Sequence, residues 1–517
     1  MSGEYSAQVL TTGILFTDHY QLTMAQLYFR SGLGERAARF EHSFRGYPDY
    51  GTHQAGYAVA AGLSPLVDWM QQAVFDREAA DALRSLRSGS GGSMFADDFL
   101  DWMQGIGGFG DASVWAVPEG RVVHRNTPVA VVQAPLVIAQ LLESSLLNHL
   151  NYATLIATKA SRVVEAAHGG SVLEFGLRRA HGFGGVGASR SALIGGAEFS
   201  SNVGISHELG VPSKGTHGHS MVQVFMSIAG GELEAFRAYA DVYPDDCLLL
   251  VDTINTLESG VPNAIRVFEE LKKRGHRPVG IRLDSGDLAH LAVRSAAMLN
   301  AAGFADTTIV LSSQLDELTI WQIRNQVAEE APHYGLDVDQ MLSRLVYGVG
   351  SRMATSDGDP SFDGVYKAVA VEDEAGAWQP AIKISDSPDK LALPGVKSLW
   401  RVYDDRGIAT ADVIALEGED MERRPLEILH PTRPGVERTL AVDQISNVEL
   451  LLEPILEKGR VVSPLGDVEA ARERRIADLE RLDTGVRRLV NPHTYHVSVT
   501  RPLLDLKRAL IEAHRTP

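Results

Sequence analysis

The chain has 517 residues, 44% hydrophobic and 22% charged, with a formal net charge of −18. That composition suits about two to four globular domains at roughly 150 residues each, and the acidic balance argues against nonspecific binding to nucleic acid or acidic membranes. The lone Cys247 excludes an internal disulfide and a cysteine-rich metal site and fits a reducing, cytoplasmic compartment; the opening MSGEYSAQVL is not a signal peptide, and no apolar run is long enough to span a bilayer.

RSGSGGS at 87–93 reads as a surface loop. Residues 113–134 are β-rich, with turn signals at Pro118-Glu119-Gly120 and Asn126-Thr127-Pro128, and 136–167 is a long leucine-spaced helical stretch with room for one break. From about 170 to 355 short apolar runs (SVLEF 171–175, CLLLVD 247–252, PVGIRL 278–283, TIVLS 308–312, LVYGV 345–349) alternate with helix-length segments such as 261–274 and 287–302. That alternation predicts parallel strands with covering helices, here a barrel-like sheet. After about 365, β-rich segments return (GVYKAVAVED, WQPAIKIS, SLWRVYDD, DVIALE) and can pair with the β-rich N-terminal part; amphipathic segments at 467–482 and 501–514 flank NPHTYHVSVT.

Polar residues collect just after the apolar runs, as GLRRAHGFGG, DTINT, DSGDL, SSQLDE and GSR, and GTHGHS (215–220) sits at a similar break. Sites of parallel α/β folds form at the carboxyl ends of strands. In GVGSR (348–352) the glycines let backbone N–H groups approach a phosphate, with Ser351 as donor and Arg352 nearby; a plain tight turn explains the pattern equally. In IRLDSGDL (281–288) Arg282 offers a fork for a carboxylate or phosphate, and Asp284 and Asp287 can hold ribose hydroxyls or Mg²⁺; alternatively Asp284 or Ser285 caps the helix starting near Asp287. Gly182, Gly184 and Gly187 form a GxGxxG; Arg178, Arg179 and His181 intervene after the strand, so a glycine-rich anion-binding or hinge loop is favoured over a dinucleotide site. His217 and His219 admit several readings: a zinc pair lacking an evident third ligand, an acid, base or nucleophile, or packing.

FTDHYQLTMAQLYFRSG (16–32), EFGLRRAHGFGG (174–185), GTHGHS, LLVDTINTLESGVPNAI (249–265), GIRLDSGDL, LSSQLDE (311–317) and YGVGSRM…DGVYKAVAV (347–371) together closely resemble nicotinate phosphoribosyltransferases, in order from about residue 15 to 410. The resemblance implies an α/β fold with an irregular TIM-like barrel over 151–364. Beside it stands a mixed α/β domain over 1–150, completed by about 365–440, and a partly helical C-terminal extension over 441–517. It implies an ATP-dependent, ligase-class reaction in which nicotinate, 5-phosphoribosyl 1-pyrophosphate, ATP and water give nicotinate mononucleotide, pyrophosphate, ADP and phosphate, in NAD salvage.

By that resemblance His219 is the residue that ATP phosphorylates, and Thr216 contacts nicotinate. Tyr20 stacks on the pyridine from the neighbouring subunit of a homodimer with shared sites. Arg282 meets the nicotinate carboxylate or lies beside the ring, and Arg178 meets phosphate or pyrophosphate. Asp284 serves ribose or a substrate-borne Mg²⁺, and Ser351 holds the 5′-phosphate with the Gly348 and Gly350 backbone. His217 falls where the family is often small or aliphatic and receives no chemistry. Nicotinamide phosphoribosyltransferases share these motifs but need a carboxylate acceptor for the amide; Ser200 and Ser201 lie at about that place, which favours nicotinate, although the carboxylate of Glu198 is nearby. Quinolinate phosphoribosyltransferase does not need the His219 motif, and an NAD-binding oxidoreductase would rest on the glycine pattern alone.

Overall fold

The computed structural model describes residues 11–384, 393–423 and 425–515. The chain divides into two compact units, one drawn from Met1–Leu155 and Ser361–Pro517, the other Ile156–Pro360.

In the second unit the apolar runs become six parallel strands, in the order Phe199–Ser200, Val172–Glu174, Leu345–Val349, Thr308–Ser312, Gly280–Leu283, Leu248–Leu250. The segments between them form helices, among them Val261–Lys273, Leu288–Ala301 and Glu317–Glu330. Val267, Phe268 and Leu271 of the first, and Ala292, Val293, Ala296 and Leu299 of the second, are buried, the inward stripe that crossover helices require. Register then aligns the strand ends: Leu250 lies opposite Arg282, Leu283 opposite Leu311, Ser312 opposite Gly348, Val349 opposite Glu174, and Glu174 opposite Ser200. Residues immediately beyond these pairs therefore share one edge of the sheet.

The barrel is a half-barrel. Strand pairing ends at Phe199–Ser200 on one side and Leu248–Leu250 on the other. The chain between these edges folds as helices Val203–Glu208, His219–Ile228 and Glu232–Val242, with no strand among the described residues. The stretch holding GTHGHS crosses the gap instead: the Lys214 N–H donates to the Ser200 carbonyl at 3.0 Å, and His217 Nε2 accepts from the Leu250 N–H at 3.0 Å.

The first unit is built on two larger sheets. The seven-stranded one runs Trp378–Pro380, Gly364–Glu372, Ala37–Phe44, Ala130–Pro135, Ser113–Ala116, Glu453–Glu457, Arg460–Val461. The six-stranded one runs Glu437–Leu440, Leu426–Leu429, Val497–Val499, Ala409–Leu416, Lys397–Tyr403, Asn447–Leu450. Segments from 441 onward thus supply strands to both sheets. The long apolar stretch forms helices Leu136–Leu141 and Glu143–Ala167, broken at Leu142. Helix His19–Arg30 turns Gln21, Leu22 and Ala25 inward. No helix among the described residues is long and apolar enough to cross a membrane.

Candidate active site

His219 opens helix His219–Ile228. Its Nδ1 lies 3.1 Å from Thr253 Oγ1, and its Nε2 lies 3.7 Å from Asp284 Oδ2 and 4.0 Å from Asp252 Oδ1. The imidazole is 38% exposed, whereas the Asp252 side chain is only 2% exposed. A part-exposed imidazole backed by two carboxylates is in a position to carry positive charge.

The carboxylates are fixed by their surroundings. Asp252 Oδ2 accepts from the Asp284 N–H at 3.0 Å and from the Ser285 hydroxyl, while Asp252 Oδ1 is buried without a hydrogen-bond partner. Asp284 Oδ1 accepts from Arg282 Nη2 at 3.0 Å and from the Ser312 hydroxyl. Burial pushes the Asp284 pKa up, but the Ser312 hydrogen bond, the Arg282 guanidinium and His219 outweigh it, and the net shift is downward. Helix capping falls to Asp287 instead, which accepts from the His290 N–H at 3.2 Å. Arg282 Nε also donates to Ser312 at 2.9 Å, and its guanidinium sits 5.3 Å from the centroid of the Phe175 ring. Gly348 leaves room for that ring: a Cβ there would meet Phe175 Cε2 at 2.5 Å. Gly348 is within its strand, Gly350 precedes the short helix Ser351–Ala354, and Ser351 opens it. Arg352 is not free for a ligand, since it is paired with Asp316 and Asp357.

Arg178 lies exposed on the single turn Leu177–Arg179 that follows Phe175 and Gly176. Thr216 is half-buried, its hydroxyl donating to the His217 carbonyl at 3.1 Å. The two histidines do not share a centre. His217 is 8% exposed, its Nε2 is taken by Leu250, and its ring packs 5.0 Å from that of Tyr239. Burial lowers its pKa to about 4, so it is neutral at physiological pH. Gly182, Gly184 and Gly187 lie inside helix Gly182–Ile194, which corrects the expected glycine-rich loop and leaves no strand-to-helix turn of the dinucleotide kind.

Sequence reasoning missed Asp252, Thr253, Ser312, Phe175 and Glu174. Glu174, 1% exposed, accepts from the Gly176 N–H and from the hydroxyls of Ser189 at 2.8 Å and Ser200 at 2.6 Å. It ties the Phe175 turn to the next helix and strand. Glu198 points to the other end of its strand, where it accepts from Ser171. The missed signal was positional: DTINT and DSGDL follow neighbouring parallel strands, so Asp252 and Asp284 had to be neighbours.

Tyr20 belongs to the first unit, 49% exposed on helix His19–Arg30. Partial burial and the Glu143 and Asp18 carboxylates push its phenol pKa up. The same unit holds a shallow cleft lined by Glu41, Arg45, Lys367, Lys383 and Lys397. Lys397 is engaged by Glu41 at 3.1 Å and by the Leu393 and Gly395 carbonyls, and Lys367 by Glu143 at 3.3 Å and the Tyr366 carbonyl at 2.7 Å; Arg45 and Lys383 also line the cleft.

Among the described residues no three His, Cys, Asp or Glu side chains converge as a preformed metal site. Asp252 and Asp284 nevertheless fit Mg²⁺, which is commonly held by one or two carboxylates together with substrate phosphates, and the unpartnered Asp252 Oδ1 is an available ligand atom.

A parallel sheet whose carboxyl edge gathers an exposed histidine, two aspartates, a half-engaged arginine and an aromatic face has the construction of an α/β enzyme for small anionic ligands. Family models of the nicotinate phosphoribosyltransferase N-terminal and C-terminal domains match residues 15–151 and 396–507. Nicotinate phosphoribosyltransferase of Bacillus subtilis is 36% identical over 489 residues, 94% of this chain and 92% of its own length. The Homo sapiens enzyme of the same name is 32% identical, with 96% of each covered. The crystal structure of human nicotinic acid phosphoribosyltransferase aligns with a TM-score of 0.78 at 30% identity, covering 96% of this chain and 99% of that one. The chain belongs to the nicotinate phosphoribosyltransferase family.

Proposed function

We propose that the protein joins nicotinate to the ribose of 5-phosphoribosyl 1-pyrophosphate, releasing pyrophosphate, and couples this to ATP hydrolysis through phosphorylation of His219, as a step of NAD salvage. The observation that carries the reading is the placement of His219 against Thr253, Asp252 and Asp284, with Arg282 and Phe175 on the same strand-end edge.

The pyridine ring is placed against Phe175 and Arg282, with the remaining donors of Arg282 facing the nicotinate carboxylate. Tyr20 of a second copy stacks on the other face, since its own helix leaves it half exposed. Thr216 borders the ring. The backbone N–H groups around Gly348, Gly350 and Ser351, with Arg178, take the 5′-phosphate and pyrophosphate. As the bond to pyrophosphate breaks, positive charge grows at the anomeric carbon and the pyridine nitrogen attacks it. The ionised Asp284 stabilises that charge, and the rest of the site orients the two reactants.

In the ATP step the His219 ring attacks the γ-phosphorus, ADP leaves, and Asp252 and Asp284 stabilise the charge left on the ring. Mg²⁺ held by Asp284 and Asp252 together with phosphate oxygens would neutralise charge during these transfers. Water later cleaves the phosphohistidine. Nicotinate is preferred to nicotinamide because Glu198 bonds Ser171 and the buried Glu174 is already engaged by three donors, so among the described residues neither carboxylate stands open beside Ser200 for an amide. The buried, unpaired thiol suits a reducing compartment such as the cytoplasm, and the homodimer rests on the reading of Tyr20 as a residue shared between copies.

The test is a product assay with 5-phosphoribosyl 1-pyrophosphate and either nicotinate or nicotinamide, with and without Mg-ATP. Nicotinate mononucleotide should form, faster with ATP. No product from nicotinate, or a faster reaction with nicotinamide, would overturn the reading.

A further inference from the structure

A half-barrel leaves two strand edges whose backbone groups need partners. Leu250 on one edge is 1% exposed, so water cannot satisfy its N–H. Its partner is a side chain, His217 Nε2, at 3.0 Å. On the other edge the Ser200 carbonyl accepts from the Lys214 N–H at 3.0 Å. The stretch between Lys214 and His217 therefore stands where a further strand would close the sheet.

His217 is its anchor. Within residues 211–218 it alone is buried. Its ring is held from the far side by Tyr239 and Phe236 of helix Glu232–Val242, at centroid distances of 5.0 and 6.1 Å. With Nε2 accepting, the ring proton belongs on Nδ1, which faces the Gly218 carbonyl at 3.4 Å. Two residues on, His219 meets Thr253, three residues beyond Leu250. The two contacts form successive rungs of one ladder, made by side chains in place of backbone.

We infer that His217 is a positioning residue: by substituting for the missing strand's acceptor at Leu250, it holds the His219 ring against Thr253, Asp252 and Asp284. This rests on the reading of His219 as the phosphorylated residue. His217 touches no reacting atom, and its loss should affect the ATP step far more than the ribosyl step, which uses Arg282, Asp284 and the Gly350–Ser351 turn.

The experiment compares His217→Leu, His217→Asn and His217→Gln with the wild type. Leucine keeps the packing on Tyr239 and Phe236 without an acceptor, asparagine carries an acceptor too short to reach, and glutamine keeps one within reach. Single-turnover transfer of γ-labelled phosphate from Mg-ATP to the protein is measured beside ATP-independent mononucleotide synthesis. In the leucine and asparagine variants labelling should slow by about tenfold or more, the effect of one lost buried hydrogen bond, while ATP-independent synthesis changes by less than about threefold. Glutamine should recover most of the labelling rate. Equal labelling in all four proteins, or both activities falling in the same proportion, would overturn the inference. A wild type that synthesises mononucleotide but takes no label would overturn the phosphohistidine reading, and this inference with it.

Discussion

Two clusters of charge in this protein look alike on paper and behave as opposites. In the first unit Arg401 is bonded to both oxygens of Asp412 at 2.8 and 2.9 Å and to Asp478 at 3.2 Å; Arg121 joins Asp478 to both oxygens of Glu449, and the hydroxyls of Tyr403 and Tyr495 complete the set. Arg401 and Asp412 are 2% and 0% exposed. Around His219 the carboxylates stand farther off, at 3.7 and 4.0 Å, the ring is 38% exposed, and Asp252 Oδ1 has no hydrogen-bond partner. A buried network with its polar atoms paired can only hold structure, whereas one with open valences has capacity left for a ligand. The difference between the two clusters lies in exposure and in unmet hydrogen-bonding capacity, and not in the number of charges.

Acid should break the sealed unit first. Burial lowers the pKa of His42 to about 4 and of His124 to about 3. Their folded-state values lie below the ordinary 6.5, so as pH falls the unfolded chain takes up protons first. Their contribution to stability is complete above pH 6.5 and is lost as pH drops toward 4, at up to about 1.4 kcal/mol per pH unit for each ring. Urea midpoints measured from pH 7.5 to 5 should fall steadily, and His124→Gln should make the slope shallower; midpoints independent of pH would show that neither ring is held neutral.

Within the sealed network, Asp412→Ala strands Arg401 and should cost about 3–5 kcal/mol in denaturant unfolding, with the KM of the folded fraction unchanged. At the open site the pattern should invert. Asp252→Asn keeps an oxygen for the Asp284 N–H and Ser285 but removes the charge beside His219. Coupled turnover should fall about a hundredfold while stability shifts by less than about 1 kcal/mol. If the asparagine variant unfolded like Asp412→Ala and retained turnover, the contrast between the two clusters would be wrong. A smaller effect is expected from Ser351→Asp, which puts like charge beside the 5′-phosphate: calorimetric affinity for 5-phosphoribosyl 1-pyrophosphate should drop by about tenfold or more, with the melting temperature nearly unchanged. Unaltered affinity would remove Ser351 from the phosphate site.

Much of the second unit was legible because a parallel strand buried on both faces is a short apolar run and its ligand-facing residues follow directly. SVLEF, PVGIRL, TIVLS and LVYGV all became strands, and His219, Arg282 and Asp284 converge at their ends. What failed depends on contacts between residues distant in sequence. Arg352 reads as a free cation until Asp316, 36 residues away, is seen to hold it. The glycines of HGFGGVGAS read as a loop because glycine disfavours helix, yet Gly185 is buried in its helix, where a Cβ would meet the Leu177 carbonyl at 3.1 Å. Closure of the barrel was expected because strand count cannot be read through 201–247, where the gap is bridged by a loop and an imidazole. Glu174 looked like one polar residue in an apolar run, and its three donors come from three separate places along the chain.

The proposed transfer of phosphate from ATP to His219 can be tested directly. Wild-type protein and His219→Ala are incubated with γ-labelled Mg-ATP, digested under alkaline conditions that preserve phosphohistidine, and the label is located by peptide mapping. The account predicts label on the peptide containing His219, discharged when nicotinate and 5-phosphoribosyl 1-pyrophosphate are added, and none in the variant, which retains slow ATP-independent synthesis of mononucleotide. Label on another residue, or wild-type ATP hydrolysis coupled to mononucleotide formation in His219→Ala, would contradict it.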